Sequence, residues 1–390
     1  MIGASAAGIS AADGLRDAGF EGRITILSGE DVPPYARHSL SNNLLAAVGD
    51  QHPPPLRTSE HFASQEIDLR LGEAATALDI DRQNVITTNG EPIPYDAAIV
   101  TTGARARVVR TSGGSPLPVL RTTNDLVALR AIAATCDDIA IIGAGFIGLE
   151  VAAVLQESGV QVTVFGAQPL PLVETFGPEV AATSLKLHRH RGVVMQMSSP
   201  VVEVRGGPGS YRIVTGDGRG YRAAYVLAAV GAEPDTDWLS RSGVAIDRGI
   251  VCDAAGATSV SKVFAAGDAV RSAGNLSRHW AGAVEHGRHV ARNLARNERV
   301  PFRHLPYVST TQYGRQYSCC GSRYPGDEVL VIDGHLDGDF VALFTDGSAF
   351  HGAASCGHGD LLRDCHAVLR RGATLNDVFR RFGLTGPAAV

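Results

Sequence analysis

Hydrophobic and polar positions change their period several times along this chain, and each change marks an element. ISAADGLRDAGF carries helix signals, and Gly19 stands where that helix should stop. Ile24-Thr25-Ile26-Leu27 is a short β-prone run, read as a second strand. Residues 31–58 are Pro-rich and irregular, and residues 67–110 alternate short β-prone runs with turns, ending in YDAAIVTTGA. A strand–helix–strand unit follows. DDIAIIG is a buried strand, FIGLEVAAVLQESG a helix and VQVTVFG the next strand. Residues 193–230 predict further strands, with a turn signal in TGDGRG. VFAAGDAV reads as a buried strand running into a turn, and HWAGAVEHGRHVARNLARN as helical. From about residue 303 the pattern changes to short β-prone pieces and closing helices, which predicts a further domain.

A chain of 390 residues has room for two or three domains. With 44% hydrophobic and 19% charged residues the composition is globular, and 45 glycines make it rich in turns. The formal net charge of −5 gives no reason to expect nucleic acid or an anionic membrane as partner. No apolar run approaches the ~18–20 residues that span a bilayer. The first residues, MIGASAAGIS, lack the basic start of a signal peptide. A cytoplasmic protein is expected. Six cysteines are scattered without a C-x-x-C pair, so neither a zinc ribbon nor a thioredoxin-type couple is written here, and no metal site is expected. Buried reduced thiols are the simpler reading, with Cys319-Cys320 inside a strand. His188 and His190 lie in the basic run LKLHRHRG, read as a solvated helix face and not as metal ligands.

Two glycine motifs carry the chemistry. Gly143-Ala144-Gly145-Phe146-Ile147-Gly148 is a full G-x-G-x-x-G between a strand and a helix. The first Gly permits the tight turn, the second lets backbone approach a pyrophosphate, and the third allows close helix–strand packing. The helix N-terminus then offers unpaired N–H groups to the anion. Gly3-Ala4-Ser5-Ala6-Ala7-Gly8 is a variant with Ser at the second glycine position. Only Met1 and Ile2 remain of the strand that should precede it, so an upstream start of the natural chain is expected. An acidic residue should follow such a motif by about 20 residues. Glu30 and Asp31 both qualify, either as ribose partners or as solvated turn carboxylates. Two nucleotide motifs in one chain point to one tightly held cofactor and one exchanging cofactor.

Together with PPYARHSLS, LRTTNDLVALR, VGAEPD, VFAAGDAV and HWAGAVEHG, these motifs resemble the FAD-dependent ferredoxin and rubredoxin reductases that serve oxygenases. That group lies in the wider pyridine nucleotide–disulfide reductase superfamily, and the similarity runs over nearly all of residues 2–325. The resemblance implies that Asp268 meets the flavin ribityl chain, that Arg37 and the Thr102-Gly103 element line the flavin, and that Trp280 stands near its ring. It places Glu150 near the nicotinamide, as a catalytic residue with Asn42. Gly3, Ser5, Ala6, Ala7, Gly8, Glu30, Ala75, Gly143, Gly145, Phe146, Ile147, Gly148 and Gly231 complete the implied cofactor-binding set.

The chain departs from the family pattern in several places. Asn42 stands where the family has Lys, Ser309 where it has an aromatic residue, Gly282 for Asn, and His286 for Gln. Gly166 occupies the position of the acid that would bind the ribose of NADH, and no Arg stands nearby to hold a 2′-phosphate. The expected fold is α/β, with two Rossmann-like dinucleotide-binding domains (glutathione-reductase-like) plus a C-terminal α+β domain. Residues 1–108 and 230–302 would form the FAD domain, 109–229 the NAD(P) domain and 303–390 the C-terminal domain. The implied reaction passes electrons from NAD(P)H, NADH favoured, through FAD to a small iron–sulfur protein, ferredoxin or rubredoxin. The chain would be a monomer or homodimer. An NADH oxidase, a small-molecule reductase and a non-catalytic flavin-binding redox sensor remain open alternatives.

Overall fold

Parallel strands form the centre of each of two units. The first unit comprises Met1–His38, Pro53–Arg105 and Ala232–His304; the second comprises Ser39–His52, Ala106–Gly231 and Leu305–Val390. The computed structural model describes residues 1–47, 52–271, 279–372 and 374–383. Among these, no helix is long and apolar enough to cross a membrane.

In the first unit, strand Ile24–Leu27 pairs in parallel with Ile67–Arg70, and Ala98–Val100 pairs in parallel with Val263–Ala265. Ile2 joins the two pairs by parallel bridges to both Leu27 and Val100. It is only 3% exposed. Its amide donates to Ile99 at 3.0 Å, and the Gly3 amide donates to Leu27 at 2.9 Å. Ile2 thus stands at the centre of the sheet, between the two strand pairs. Successive side chains go to opposite faces. Leu27 and Val100 enter one apolar core with Ile2, while Ile26 and Ile99 enter another with Ile9 and Leu15. Burial on both faces explains why these strands read as continuous apolar runs without alternation. Helices Ala6–Asp17 and Trp280–Arg296 approach closely, because a Cβ at Gly287 would stand 2.2 Å from the Ala7 carbonyl oxygen.

The second unit orders its parallel strands as Val194–Gln196, Gln161–Phe165, Asp138–Ile142 and Tyr225–Ala228. It also carries a five-stranded antiparallel sheet, in the order Tyr307–Gln312, Arg315–Gly321, Phe350–Cys356, Phe340–Thr345 and Glu328–Gly334. One face of that sheet packs Val341 and Leu343 against Leu362, Cys365 and Val378 of the closing helices. The other packs Phe340 and Phe344 against Phe176 and Val180 of helix Val173–His190. Cys319 and Cys320 lie buried in strand Arg315–Gly321, and burial pushes the Cys319 thiol up to about 12.

His188 corrects the reading of LKLHRHRG as a solvated face. His190 is exposed, but His188 is 0% exposed. Val180, Ala181, Ser184, Leu185 and His188 share the buried stripe of their helix at spacings of three and four. The His188 Nε2 bonds Gln312 Oε1 at 3.2 Å, and Nδ1 bonds the Tyr313 hydroxyl at 3.2 Å. A histidine on an apolar stripe was folded inward because two polar partners met it there.

The two glycine turns have the same geometry. Gly3 and Gly143 have φ of +113° and +116°, which an L side chain rarely adopts. The amide of each donates to the last residue of the neighbouring strand, Gly3 to Leu27 at 2.9 Å and Gly143 to Phe165 at 2.8 Å. A Cβ at Gly8 would stand 2.0 Å from the Gly3 carbonyl oxygen, and one at Gly148 would stand 2.1 Å from that of Gly143. Gly145 differs, since a Cβ there would meet no atom within 4 Å. The two residues therefore separate packing from ligand access. Gly148→Ala should lower stability by about 2 kcal/mol or more through overpacking. Gly145→Ala should leave the melting temperature unchanged yet weaken binding of the dinucleotide that the motif predicts at least about tenfold, by filling the space beside the helix N-terminus. Melting curves and dinucleotide titrations of the two variants check this; equal losses in both readouts contradict it.

Two buried histidines, His188 and His286, and the half-buried His279 have pKa values lowered from 6.5 to about 4, chiefly by burial. A base whose folded pKa lies below its unfolded pKa takes up protons on unfolding between the two values. Their neutral burial is therefore without penalty above about pH 6.5, and stability falls as pH drops toward about 4. Three such groups give a slope of up to about 4 kcal/mol per pH unit. Denaturant unfolding at a series of pH values measures it, and a flat profile over that window would show that these rings are not held neutral.

Candidate functional site

Glu150 sits in the first turns of helix Phe146–Glu157 and is 7% exposed. Its Oε1 accepts from the Thr310 hydroxyl at 2.8 Å and the Thr311 amide at 3.0 Å. Its Oε2 accepts from the Ser41 hydroxyl, and Asn42 adds a further side-chain hydrogen bond. None of these partners carries a charge. Burial raises the Glu150 pKa; the hydrogen bonds oppose that, and the result is still upward. The Asn42 Oδ1 also accepts from the Asn43 amide at 2.5 Å and so caps the short helix Asn43–Ala46. Arg315, in the same unit as Glu150, is engaged elsewhere. Arg37 pairs with Glu30, and Arg315 bonds Asp339 at 2.8 Å. Sequence reasoning singled out Ser309, but Ser309 is exposed and its neighbour Thr310 points inward.

In the first unit, Glu30 is held by Arg37 and by the Tyr35 hydroxyl at 2.8 Å, whereas Asp31 is exposed. The Thr102 hydroxyl donates to the Asp235 carbonyl at 2.7 Å, and the Asp235 amide returns a bond to the Gly103 carbonyl at 3.0 Å. Ala75 opens strand Ala75–Asp79 and packs beside the core. Asp268 lies half-buried in the single turn Gly267–Ala269. The amide of Gly267 donates to His286 Nδ1 at 3.2 Å, a contact that no motif announces. Trp280 begins helix Trp280–Arg296 and meets the His38 ring edge-on at 5.3 Å.

In the second unit, Phe146 lies 6.2 Å from the Phe176 ring, and Ile147 is exposed on the first turn of its helix. Gly231 has φ of +94°, and its carbonyl accepts from the Arg107 amide at 3.0 Å. Gly166 ends its strand against Met197; a Cβ there would stand 2.6 Å from the Met197 methyl carbon. A side chain at 166 would require the flexible end of Met197 to shift. A separate cavity of about 590 Å³, lined by Leu45, Val127, Arg130, Val154 and Ser158 among others, lies toward the far end of helix Phe146–Glu157 and holds none of the candidate residues.

Neither Ser5 nor Gly145 makes a side-chain cap to the helix it precedes. Each turn thus opens on helix amides that a side chain leaves to another acceptor. With open space at Gly145, these residues fit dinucleotide pyrophosphates. They fit FAD in the first unit, where an acid follows the motif, and a nicotinamide coenzyme in the second, where Gly166 stands at the position of that acid.

Known proteins match this chain over most of its length. The ferredoxin–NAD(+) reductase component of the biphenyl dioxygenase system of Paraburkholderia xenovorans is 32% identical over 350 residues, covering 88% of this chain and 85% of that protein. The ferredoxin reductase from Rhodopseudomonas palustris superposes with a TM-score of 0.87 at 25% identity, covering 96% and 94% of the two chains. Putidaredoxin reductase, solved in covalent complex with putidaredoxin, superposes with a TM-score of 0.85 at 27% identity, covering 94% and 91%. Residues 1–287 match the family described as pyridine nucleotide-disulphide oxidoreductase, and with the two glycine turns in place the chain belongs to that family.

Proposed function

We propose that this chain is the reductase component of an oxygenase system, which takes hydride from NADH and delivers electrons through FAD to a small ferredoxin-type iron–sulfur protein. The observation that carries the reading is the pair of equivalent glycine turns, one in each unit, each opening on a helix N-terminus without a side-chain cap. Relatives named as ferredoxin–NAD(+) reductases support it over most of the chain.

When bound, FAD supplies hydride acceptance and the release of single electrons. The residues that would hold it are the Gly3–Gly8 turn, Glu30, Arg37, Thr102, Gly103 and Asp268. The Gly143–Gly148 turn would hold NADH. Glu150 is the proton-handling candidate. Its Oε1 is tied to the Thr311 amide, which can only donate. Its Oε2 meets the Ser41 hydroxyl, which can turn from donor to acceptor. The Ser41 hydroxyl is thus a partner on Oε2 able to accept from a protonated Glu150.

The experiment is to supply purified flavin-loaded protein with NADH and follow reduction of ferredoxin-type proteins beside oxygen consumption. Acceptor-dependent turnover is expected. Oxygen uptake unaffected by any iron–sulfur protein would replace this reading with an NADH oxidase. In the same assay NADH and NADPH should differ by less than roughly 100-fold, or about 3 kcal/mol, because Gly166 neither attracts a ribose hydroxyl nor repels a phosphate.

Asn42→Lys tests the neutral cage. A cation beside Glu150 favours the carboxylate, so the pH dependence attached to Glu150 should move down. Rapid-mixing reduction across pH reads that shift. A pH profile unchanged by the added cation would show that Glu150 does not set it.

A further inference from the structure

His286 is 2% exposed and stacks on Phe302, with ring centroids 4.6 Å apart and planes 15° from parallel. Its ring is therefore fixed in position and orientation. Its Nδ1 accepts the Gly267 amide at 3.2 Å. Gly267 opens the single turn that carries Asp268, and its backbone is confined as well. Its φ is +74°, and a Cβ there would stand 2.8 Å from the Ala7 side chain. The turn is thus gripped at one amide, by one ring, on the side of helix Trp280–Arg296.

We infer that His286 is a positioning residue for flavin binding, a neutral hydrogen-bond acceptor that fixes the Gly267 amide and through it the direction of the Asp268 carboxylate. This rests on the reading that the first unit holds FAD. An Nδ1 that accepts must be unprotonated, which leaves the ring proton on Nε2. Burial, with His289 and His304 nearby, lowers the His286 pKa to about 4 and keeps the ring in that neutral form. His304 stacks on the same Phe302 ring at 5.9 Å and bonds Glu285 at 3.2 Å. Without the acceptor, the Gly267 amide would be buried unpaired, and the turn would relax to satisfy it.

The test is flavin titration onto the apoprotein at neutral pH, for the parent, His286→Gln, His286→Leu, Asp268→Ala and the double variant His286→Leu/Asp268→Ala. Gln carries an acceptor of similar reach, so His286→Gln should bind FAD within about threefold of the parent. His286→Leu should bind about tenfold or more weakly, from a buried amide left without its partner. With Asp268 already removed, His286→Leu should add no further loss, because it acts through that carboxylate. Equal binding by His286→Leu and the parent would overturn the inference, as would full additivity of the two losses. Should His286→Leu fail to fold, binding by His286→Gln decides: a loss beyond about tenfold there overturns an acceptor role. A parent that binds no FAD overturns the flavin reading itself, an outcome distinct from a parent that binds while the variants do not differ.

Discussion

At Gly8 and again at Gly148, a carbonyl oxygen stands where a side chain would begin, 2.0 and 2.1 Å from the ideal Cβ position. That contact sets where each helix starts and how near its axis runs to the sheet. The first-turn amides then point past the carboxyl ends of the parallel strands, which is where α/β sheets bind ligands. The helix pair of the first unit obeys the same restriction at Gly287 against Ala7. The space offered to a cofactor is set by the absence of side-chain atoms along a short stretch of backbone.

The other organising feature is polar. Strand Tyr307–Gln312 turns Thr310 and Gln312 to the same buried side. Thr310 donates to Glu150, while Gln312 accepts from Ser184 at 2.7 Å and from His188. A buried carboxylate and a buried imidazole are thus steadied from one strand, by groups without charge. Neutral donors satisfy the lone pairs of Glu150 but do not return the solvation lost on burial, so its proton affinity remains raised.

Short-range chemistry is legible in the sequence. The glycine turns, their flanking strand and helix, and the buried character of DDIAIIG are local facts, and the structure carries them unchanged. The surroundings of Glu150 are a different matter. Ser41 lies 109 residues away and Thr310 lies 160 residues away, and nothing in either segment marks a carboxylate partner. Attention to Ser309 missed Thr310 because adjacent strand residues face opposite ways. His188 was legible in part. Ser184 and His188 stand four apart among Val180, Ala181 and Leu185, a stripe that could have been read as buried despite the neighbouring Arg189 and Arg191. Ile2 takes its place between the two flanking strands through backbone bonds to Ile99 and bridges to Leu27 and Val100.

Met197, lodged under Gly166, ties two positions together sterically. An acidic side chain at 166 enters space held by the end of a flexible thioether, which has to turn aside to admit it. Recognition gained at residue 166 is therefore coupled to the packing of residue 197, and substitutions at the two positions should not add.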